Sequence, residues 1–206
     1  MKKHFLLIII ALLAFGVKAQ NAEQLFKSAV DKLKSYDNIE IEFDYNMINM
    51  EAEIYETMDG AGFLQGDAYK LIIMGQIILC DGTTTWTYND DAQEVMISEV
   101  DNTDGNSSPL AIIESYYDNI SAKIVDEAGV IKKIEVKSMI SNDNFKKIIV
   151  TIDTNTLDIK DIHLFDNDDT EFVYVIKKFV TNQKLPADFF MFKESDYPDA
   201  EIIDMR

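Results

Sequence analysis

Cysteine is almost absent from this chain: Cys80 is the only one in 206 residues. One thiol cannot form an internal disulfide, so the fold must be held by an apolar core, and a chain of this length is large enough to build one. Histidine is nearly as scarce. His4 and His163 are the whole complement, and His163 sits on a strand-like stretch between Ile162 and Leu164 with no cysteine or histidine companion for a metal site. Cations are few as well, with 19 basic residues against 37 acidic and a net charge of -18, a balance that repels nucleic acid and anionic membrane surfaces. Enzyme signatures are missing too: no G-x-S-x-G elbow, no P-loop and no dinucleotide fingerprint occurs. Carboxylate pairs are too plentiful in so acidic a chain to mark a general acid and base, and an enzyme acting on lipid or glycan would lack a nucleophile and base.

The one strongly apolar run lies at the start. Lys2 and Lys3 precede the run from Phe5 to Phe15, and Gly16-Val17-Lys18-Ala19 follows. A positive end, a short apolar stretch and small residues form an export signal, with cleavage expected after Ala19. The run is too short to span a bilayer as a mature helix, for which roughly 20 apolar residues are needed, and no later run approaches that length. No cysteine stands at the cleavage point, so a lipid anchor is not expected. Loss of residues 1–19 removes Lys2, Lys3 and Lys18 and no acid, leaving 16 basic against 37 acidic residues and a charge of -21. That acidity serves solubility or attracts cationic partner surfaces.

Residues 20–206 read as a single domain, with no linker or composition shift. Ala22, Leu25, Phe26, Ala29, Val30, Leu33 and Tyr36 recur at spacings of three and four, which predicts an amphipathic helix with Asn21 as its N-cap. From Ile39 the period becomes two. Strands are expected over 39–45, 51–57, 61–65, 69–74, 76–80, 84–88 and 93–100, with turns at Asp59-Gly60, Gly66-Asp67, Gly75, Asp81-Gly82 and Asn89-Asp90-Asp91. A polar loop over 101–107 leads to a second helix over 109–118, started by Ser108 and Pro109. Strands then resume over 121–126, 131–139, 146–152, 158–165 and 170–179. The fold class is α+β, mainly β: an antiparallel, unclosed sheet of about eleven strands curling into a barrel or half-barrel, with the helices as plug or lid on its apolar side.

Other polar features point to ordinary structure. Cys80 ends the apolar stretch Ile77-Ile78-Leu79 and reads as inert packing. The acidic runs at 101–105 and 166–169 lack the spaced ligand series of a calcium loop and read as solvated turns. Nine methionines and many aromatics hint at an apolar space that is open rather than tightly filled. No metal or cofactor is expected.

The order of these segments carries a resemblance. Gly62-Phe63-Leu64, Tyr69-Lys70-Leu71, Cys80-Asp81-Gly82-Thr83-Thr84-Thr85-Trp86-Thr87-Tyr88-Asn89, the helix start Pro109-Leu110-Ala111-Ile112-Ile113, and the ending Leu185-Pro186-Ala187-Asp188-Phe189-Phe190-Met191-Phe192 followed by Ala200-Glu201-Ile202-Ile203-Asp204 are similar to the periplasmic outer-membrane lipoprotein carriers, the LolA type. The resemblance implies a periplasmic, monomeric carrier, not an enzyme. Its apolar cavity would take up lipoprotein acyl chains released by an inner-membrane ABC transporter and yield them to an outer-membrane receptor. The acyl-binding wall expected from it, with Trp86 and Tyr88 sharing a face by period-two alternation, comprises Leu25, Tyr69, Leu71, Ile73, Trp86, Tyr88, Leu110 and Ile113, and the helix from Pro109 is the moving lid. The family's lid-closing arginine has no counterpart in Phe63 to Tyr69, since the sole arginine is Arg206. An alternative on the same half-barrel is an envelope module that senses lipid or lipoprotein.

Overall fold

The computed structural model describes residues 21–100, 109–139 and 145–206. The export signal, Ser108 and the polar loop at 101–107 lie outside them. Helix α1 covers residues 21–34, and its predicted stripe is real: Ala22, Phe26, Ala29, Val30 and Leu33 are all buried. The strands that follow are β1 (Ile39–Asn49), β2 (Ile54–Gln65), β3 (Ala68–Ile73), β4 (Gln76–Cys80), β5 (Thr84–Asn89) and β6 (Glu94–Glu99). Helix α2 (Pro109–Ser115) separates them from β7 (Ile120–Ala128), β8 (Ile131–Ser138), β9 (Phe145–Asp153), β10 (Ile159–Asp166) and β11 (Glu171–Thr181). A single-turn 3-10 helix at Glu194–Asp196 precedes β12 (Glu201–Asp204). No helix among the described residues is long and apolar enough to cross a membrane.

All twelve strands form one sheet in the order β12-β6-β5-β4-β3-β2-β1-β11-β10-β9-β8-β7, unclosed because β12 and β7 each have one neighbour. The fold class is thus as the sequence predicts, with three corrections. The predicted strands 51–57 and 61–65 are one strand, β2, and Asp59-Gly60 is no turn. The reason is steric: a Cβ on Gly60 would lie 2.4 Å from Cε2 of Phe43, so this glycine lets the Phe43 ring lie against the neighbouring backbone. Second, β12 pairs parallel with β6, whereas β2 through β6 pair with one another as antiparallel hairpins. Third, α2 ends at Ser115, three residues short of the predicted Asp118.

The chain divides into two compact units. The first contains α1, residues 47–54 and residues 112–173. In it, alternate residues of β7–β10 build one buried face, with a register shift between Ile124 and Asp126 and with Thr151 buried on the opposite face. Ala122 pairs with Val136, Val136 with Ile148, Ile134 with Val150 and Ile162 with Val150, and all of these are buried on one face. The other face carries Lys123, Glu135, Lys137, Lys147, Asp161 and His163. Helix α1 brings its own apolar stripe to this unit and is tied to the β9–β10 turn by Lys32, whose Nζ donates to the Thr156 carbonyl at 2.5 Å and to Asp158 Oδ1 at 2.7 Å. That contact holds the Asp158 carboxyl down to about 2.

The second unit contains residues 35–46, 55–111 and 174–206. Its hairpins have tight, register-fixing turns. Met74 and Gly75 both take positive φ, 55° and 69°, the signature of a two-residue type I′ turn, so Ile73 faces Gln76 and Tyr69 faces Cys80. Its outer polar groups pair across strands: Lys178 lies 2.5 Å from Glu40 and 2.8 Å from Glu42, and Lys177 bridges Asp44 and Asp59.

Candidate functional site

Directly paired residues in an antiparallel ladder share a face, so the register of β2–β6 sorts the predicted wall residue by residue. Leu64 pairs with Tyr69, Tyr69 with Cys80, Cys80 with Thr85 and Thr85 with Ser98. Leu71 pairs with Gly62 and Ile78, Ile78 with Thr87, and Thr87 with Met96. Tyr69, Leu71 and Ile73 therefore stand together on one face, beside Leu64, Ile78, Cys80, Thr85, Thr87 and Met96. Trp86 and Tyr88 point the other way. Their partners are Leu79 and Ile77 on β4 and Ile97 and Val95 on β6. The expected single face is corrected here: alternation within β5 holds, but each hairpin sums to an odd number, so the parity of a face changes from one strand to the next.

The face bearing Tyr69 continues onto β1. A Cβ on Gly62 would lie 3.2 Å from Cγ1 of Ile41, and Phe43 faces Gly60, so Ile39, Ile41, Phe43 and Tyr45 belong to the same side. Tyr174 of β11 joins them, its ring centroid 5.4 Å from Phe43 and 5.2 Å from Tyr45, and burial pushes its phenol far above the usual value. Along β1 these side chains are buried. Toward β3 and β4 they are only partly covered, with Tyr69, Leu71 and Ile78 half-buried and Met96 41% exposed. Burial, and then Cys80, raise the Tyr69 phenol; its hydrogen bond with Thr85 acts the other way. Sequence reasoning missed Ile41, Phe43, Tyr45, Ile78 and Met96 as members of this face. The signal for Ile78 was present, since Met74-Gly75 as a two-residue turn places it opposite Leu71.

The reverse face is covered by the chain's own C-terminal segment. Phe189 packs edge-on against Phe63 at 5.0 Å, with Lys70 Nζ 5.7 Å from the Phe189 centroid. Phe192 stacks on Trp86 at 6.4 Å, and Tyr197 contacts both Phe192 at 5.4 Å and Tyr88 at 4.5 Å. The Tyr88 hydroxyl donates to Asp90 at 2.9 Å and accepts from Gln93. Trp86 and Tyr88 thus already have aromatic partners, and β12 pairs along the edge of β6 within the sheet.

The remaining predicted residues lie elsewhere. Leu25 is half-buried beside the α1 stripe, in the first unit. Leu110 is in α2, but its side chain lies outside what the structure describes. Ile113, expected in the acyl-binding wall, is 1% exposed and a core position of the first unit. Just beyond α2, the Tyr116 hydroxyl donates to the Phe145 carbonyl at 2.9 Å. Tyr117 lies under Lys34 Nζ at 4.6 Å and Lys27 Nζ at 5.6 Å, and its hydroxyl bonds to Asp31, which raises its pKa. These contacts tie the segment after α2 to α1 and to β9.

Of the other polar groups, His163 is held between two carboxylates, with Nδ1 2.5 Å from Glu171 and Nε2 3.1 Å from Asp161. Asp161 also accepts from the Thr151 hydroxyl at 2.6 Å. Cys80 is buried, and its sulfur accepts from the Gly82 amide at 3.3 Å. Asp166 accepts from the amides of Asp168 and Thr170, which makes the run 166–169 a structured turn; the run at 101–105 lies outside the described residues. Among the described residues, no group of three or more metal-ligating side chains converges.

Comparison with known proteins places this arrangement. The family model described as outer membrane lipoprotein carrier protein LolA matches residues 74–193, more than half of the chain. No curated protein sequence matches it. Among solved structures, an uncharacterized conserved protein from Thermus thermophilus is similar at 10% identity with a TM-score of 0.54, over 88% of this chain and 98% of that one. A LolA superfamily protein from Nitrosomonas europaea is similar at 8% identity with a TM-score of 0.47, over 84% and 98% of the two chains. A putative outer membrane lipoprotein-sorting protein domain from Vibrio parahaemolyticus is similar at 9% identity with a TM-score of 0.48, over 84% and 97%. At these identities the likeness is one of fold.

Proposed function

This chain belongs to the family of the outer membrane lipoprotein carrier protein LolA, and on that premise we propose that it is an exported carrier whose sheet face around Tyr69, Leu71, Ile73 and Ile78 binds the acyl chains of lipoproteins. The observation that supports this reading is the contrast between the two faces of β3–β6. Phe189, Phe192 and Tyr197 pack on one, beside half-buried Trp86 and Tyr88 and with Ile72 exposed at its side. The other leaves Tyr69, Leu71 and Ile78 half-buried and Met96 exposed, while Ile73 is buried. Each methylene taken up by such a wall is worth about 0.8 kcal/mol, so the carrier binds by chain length and without covalent chemistry.

In this reading the segment 1–19 is removed on export and residues 20–206 act as a single carrier in the periplasm. The carrier receives cargo from an inner-membrane ABC transporter and gives it up to an outer-membrane acceptor. The test is to purify the protein from its native envelope and analyse organic extracts by mass spectrometry, in parallel with bis-ANS titration. Recovery of acylated peptides and saturable, competable probe binding are the expected results. A fully stable protein with no saturable probe binding refutes the proposal.

A further inference from the structure

The two free edges of the sheet differ. At one, β12 is four residues long; at the other, β7 runs for nine, from Ile120 to Ala128, with no proline. Its one neighbour in the sheet is β8, and among the described residues no further hydrogen bond reaches its backbone. An edge of that length is a template for another strand. Proteins blunt such edges with bulges and charges, and β7 has both: its register shifts between Ile124 and Asp126, and Lys123, Asp126 and Glu127 are exposed. Here the bulge and the charges are arranged about one point. Lys123 pairs with Glu135 and Asp126 with Lys133, two residues apart on β8. The shift thus brings Lys123 and Asp126, three apart in the chain, onto one face and into the same kind of ladder position; in a regular strand they would point to opposite faces. Between them lie Ile124, half-buried, and Val125, 43% exposed.

The stretch Lys123-Ile124-Val125-Asp126 is therefore complementary to itself when reversed. Set antiparallel to a second copy, each Lys123 meets an Asp126 and each Ile124 meets a Val125, and residues placed opposite share both face and ladder position. The Lys123 side chain is 63% exposed even with its Nζ 3.0 Å from Glu135, which leaves its charge open to a second carboxylate. We propose that β7 is a homodimer interface: two copies join edge to edge about a twofold axis between Ile124 and Val125, with a Lys123–Asp126 pair on either side of it. Such a contact uses the same patch on both copies and closes at two. It departs from the monomer that the family resemblance implies. The carrier reading does not depend on it, since the acyl-binding face proposed there lies on β3–β6, in the second unit.

The test is sedimentation velocity of the chain without its export signal, over a concentration series at about 0.15 M salt, where the mutual repulsion of two acidic chains is largely screened. The wild type is expected to show a reversible monomer–dimer equilibrium. Lys123→Glu and Asp126→Lys each turn two opposite-charge pairs into like-charge pairs, so each variant alone should dissociate at least about fivefold more readily. An equimolar mixture of the two should dimerise again. In that heterodimer the carboxylate introduced at position 123 of one copy meets the ammonium introduced at position 126 of the other, and the native Asp126 and Lys123 meet across the axis. Both positions are exposed, so the variants keep their fold, which calorimetry checks. In the wild type, exchange of the amides of residues 120–128 should slow as concentration rises. A wild type that stays monomeric up to about 1 mM, a dimer that persists in both variants, or a mixture that dissociates like its components overturns the proposal. Bis-ANS binding is expected to be unchanged throughout, which keeps this result separate from the carrier reading.

Discussion

Truncating one aromatic and one aliphatic residue on neighbouring strands separates the two faces of the second unit. Trp86 is half-buried, pairs with Leu79 and Ile97, and stacks on Phe192. Complete burial of a tryptophan makes Trp→Ala cost about 3–5 kcal/mol; with half of that surface involved, Trp86→Ala is expected to cost about 1.5–2.5 kcal/mol. For a domain of this size that is a fall in Tm of roughly 3–10 °C. The proposed ligand face lies on the other side, so bis-ANS affinity changes little. Leu71→Ala gives the opposite pattern. It removes three carbons from a half-buried wall, worth about 1 kcal/mol of ligand contact and thus about a fivefold weaker Kd, with a smaller loss of stability than Trp86→Ala. Scanning calorimetry and probe titration on the two variants read both quantities. If Trp86→Ala abolishes probe binding while leaving Tm unchanged, or if Leu71→Ala lowers Tm as much as Trp86→Ala does, the assignment of faces from strand register is refuted.

Further expectations concern other parts of the molecule. Gly60→Ala places a methyl 2.4 Å from the buried Phe43 ring and is expected to cost about 1–3 kcal/mol in urea denaturation, more than Gly62→Ala, whose new Cβ meets Ile41 at 3.2 Å; equal, negligible losses would contradict the packing role. Ile113→Asp buries a carboxylate at a position 1% exposed and is expected to cost several kcal/mol, about 3 or more, whereas retention of the wild-type Tm would show that this residue is not core. His163 is raised above its ordinary pKa first by its bond to Asp161, against the opposing effect of burial, and then by Glu171. The Asp161 carboxyl is in turn held down, against its burial, by the bonds from His163 and Thr151, with a smaller contribution from Lys133. A raised folded value means that the stabilisation is fully present below the ordinary imidazole value and is lost as pH rises through the raised one, so His163→Gln should flatten stability against pH in that window; NMR titration of the imidazole checks the direction. With a net charge of -18, encounter of the proposed carrier with a cationic partner surface is expected to be salt-dependent, so cargo uptake from membrane vesicles should slow with ionic strength while binding of a neutral acyl probe does not; a parallel response of both would reduce the acidity to a solubility feature.

Local periodicity determined most of the element inventory. The stripe Ala22, Phe26, Ala29, Val30 and Leu33 at helical spacing, and the alternation of Ile39, Ile41, Phe43 and Tyr45, depend only on neighbours along the chain, and each appears in the structure as read. The family was likewise legible in the order of the segments, and its model matches residues 74–193. Gly60 was misread because aspartate-glycine has the same local signature in a turn and in a strand; only the Phe43 ring from another strand distinguishes them. The placement of Trp86 opposite Tyr69 required counting pairs through two successive turns, a tertiary relation that neither strand contains alone. What covers that face was further still from the sequence's reach. Phe189, Phe192 and Tyr197 lie about a hundred residues beyond Trp86 and Tyr88, and only the folded sheet brings those rings together. The sequence by itself determined which segments form helices and strands, since propensity and period act locally. Which of the two faces of those strands receives the chain's own aromatic segment was decided only by long-range packing.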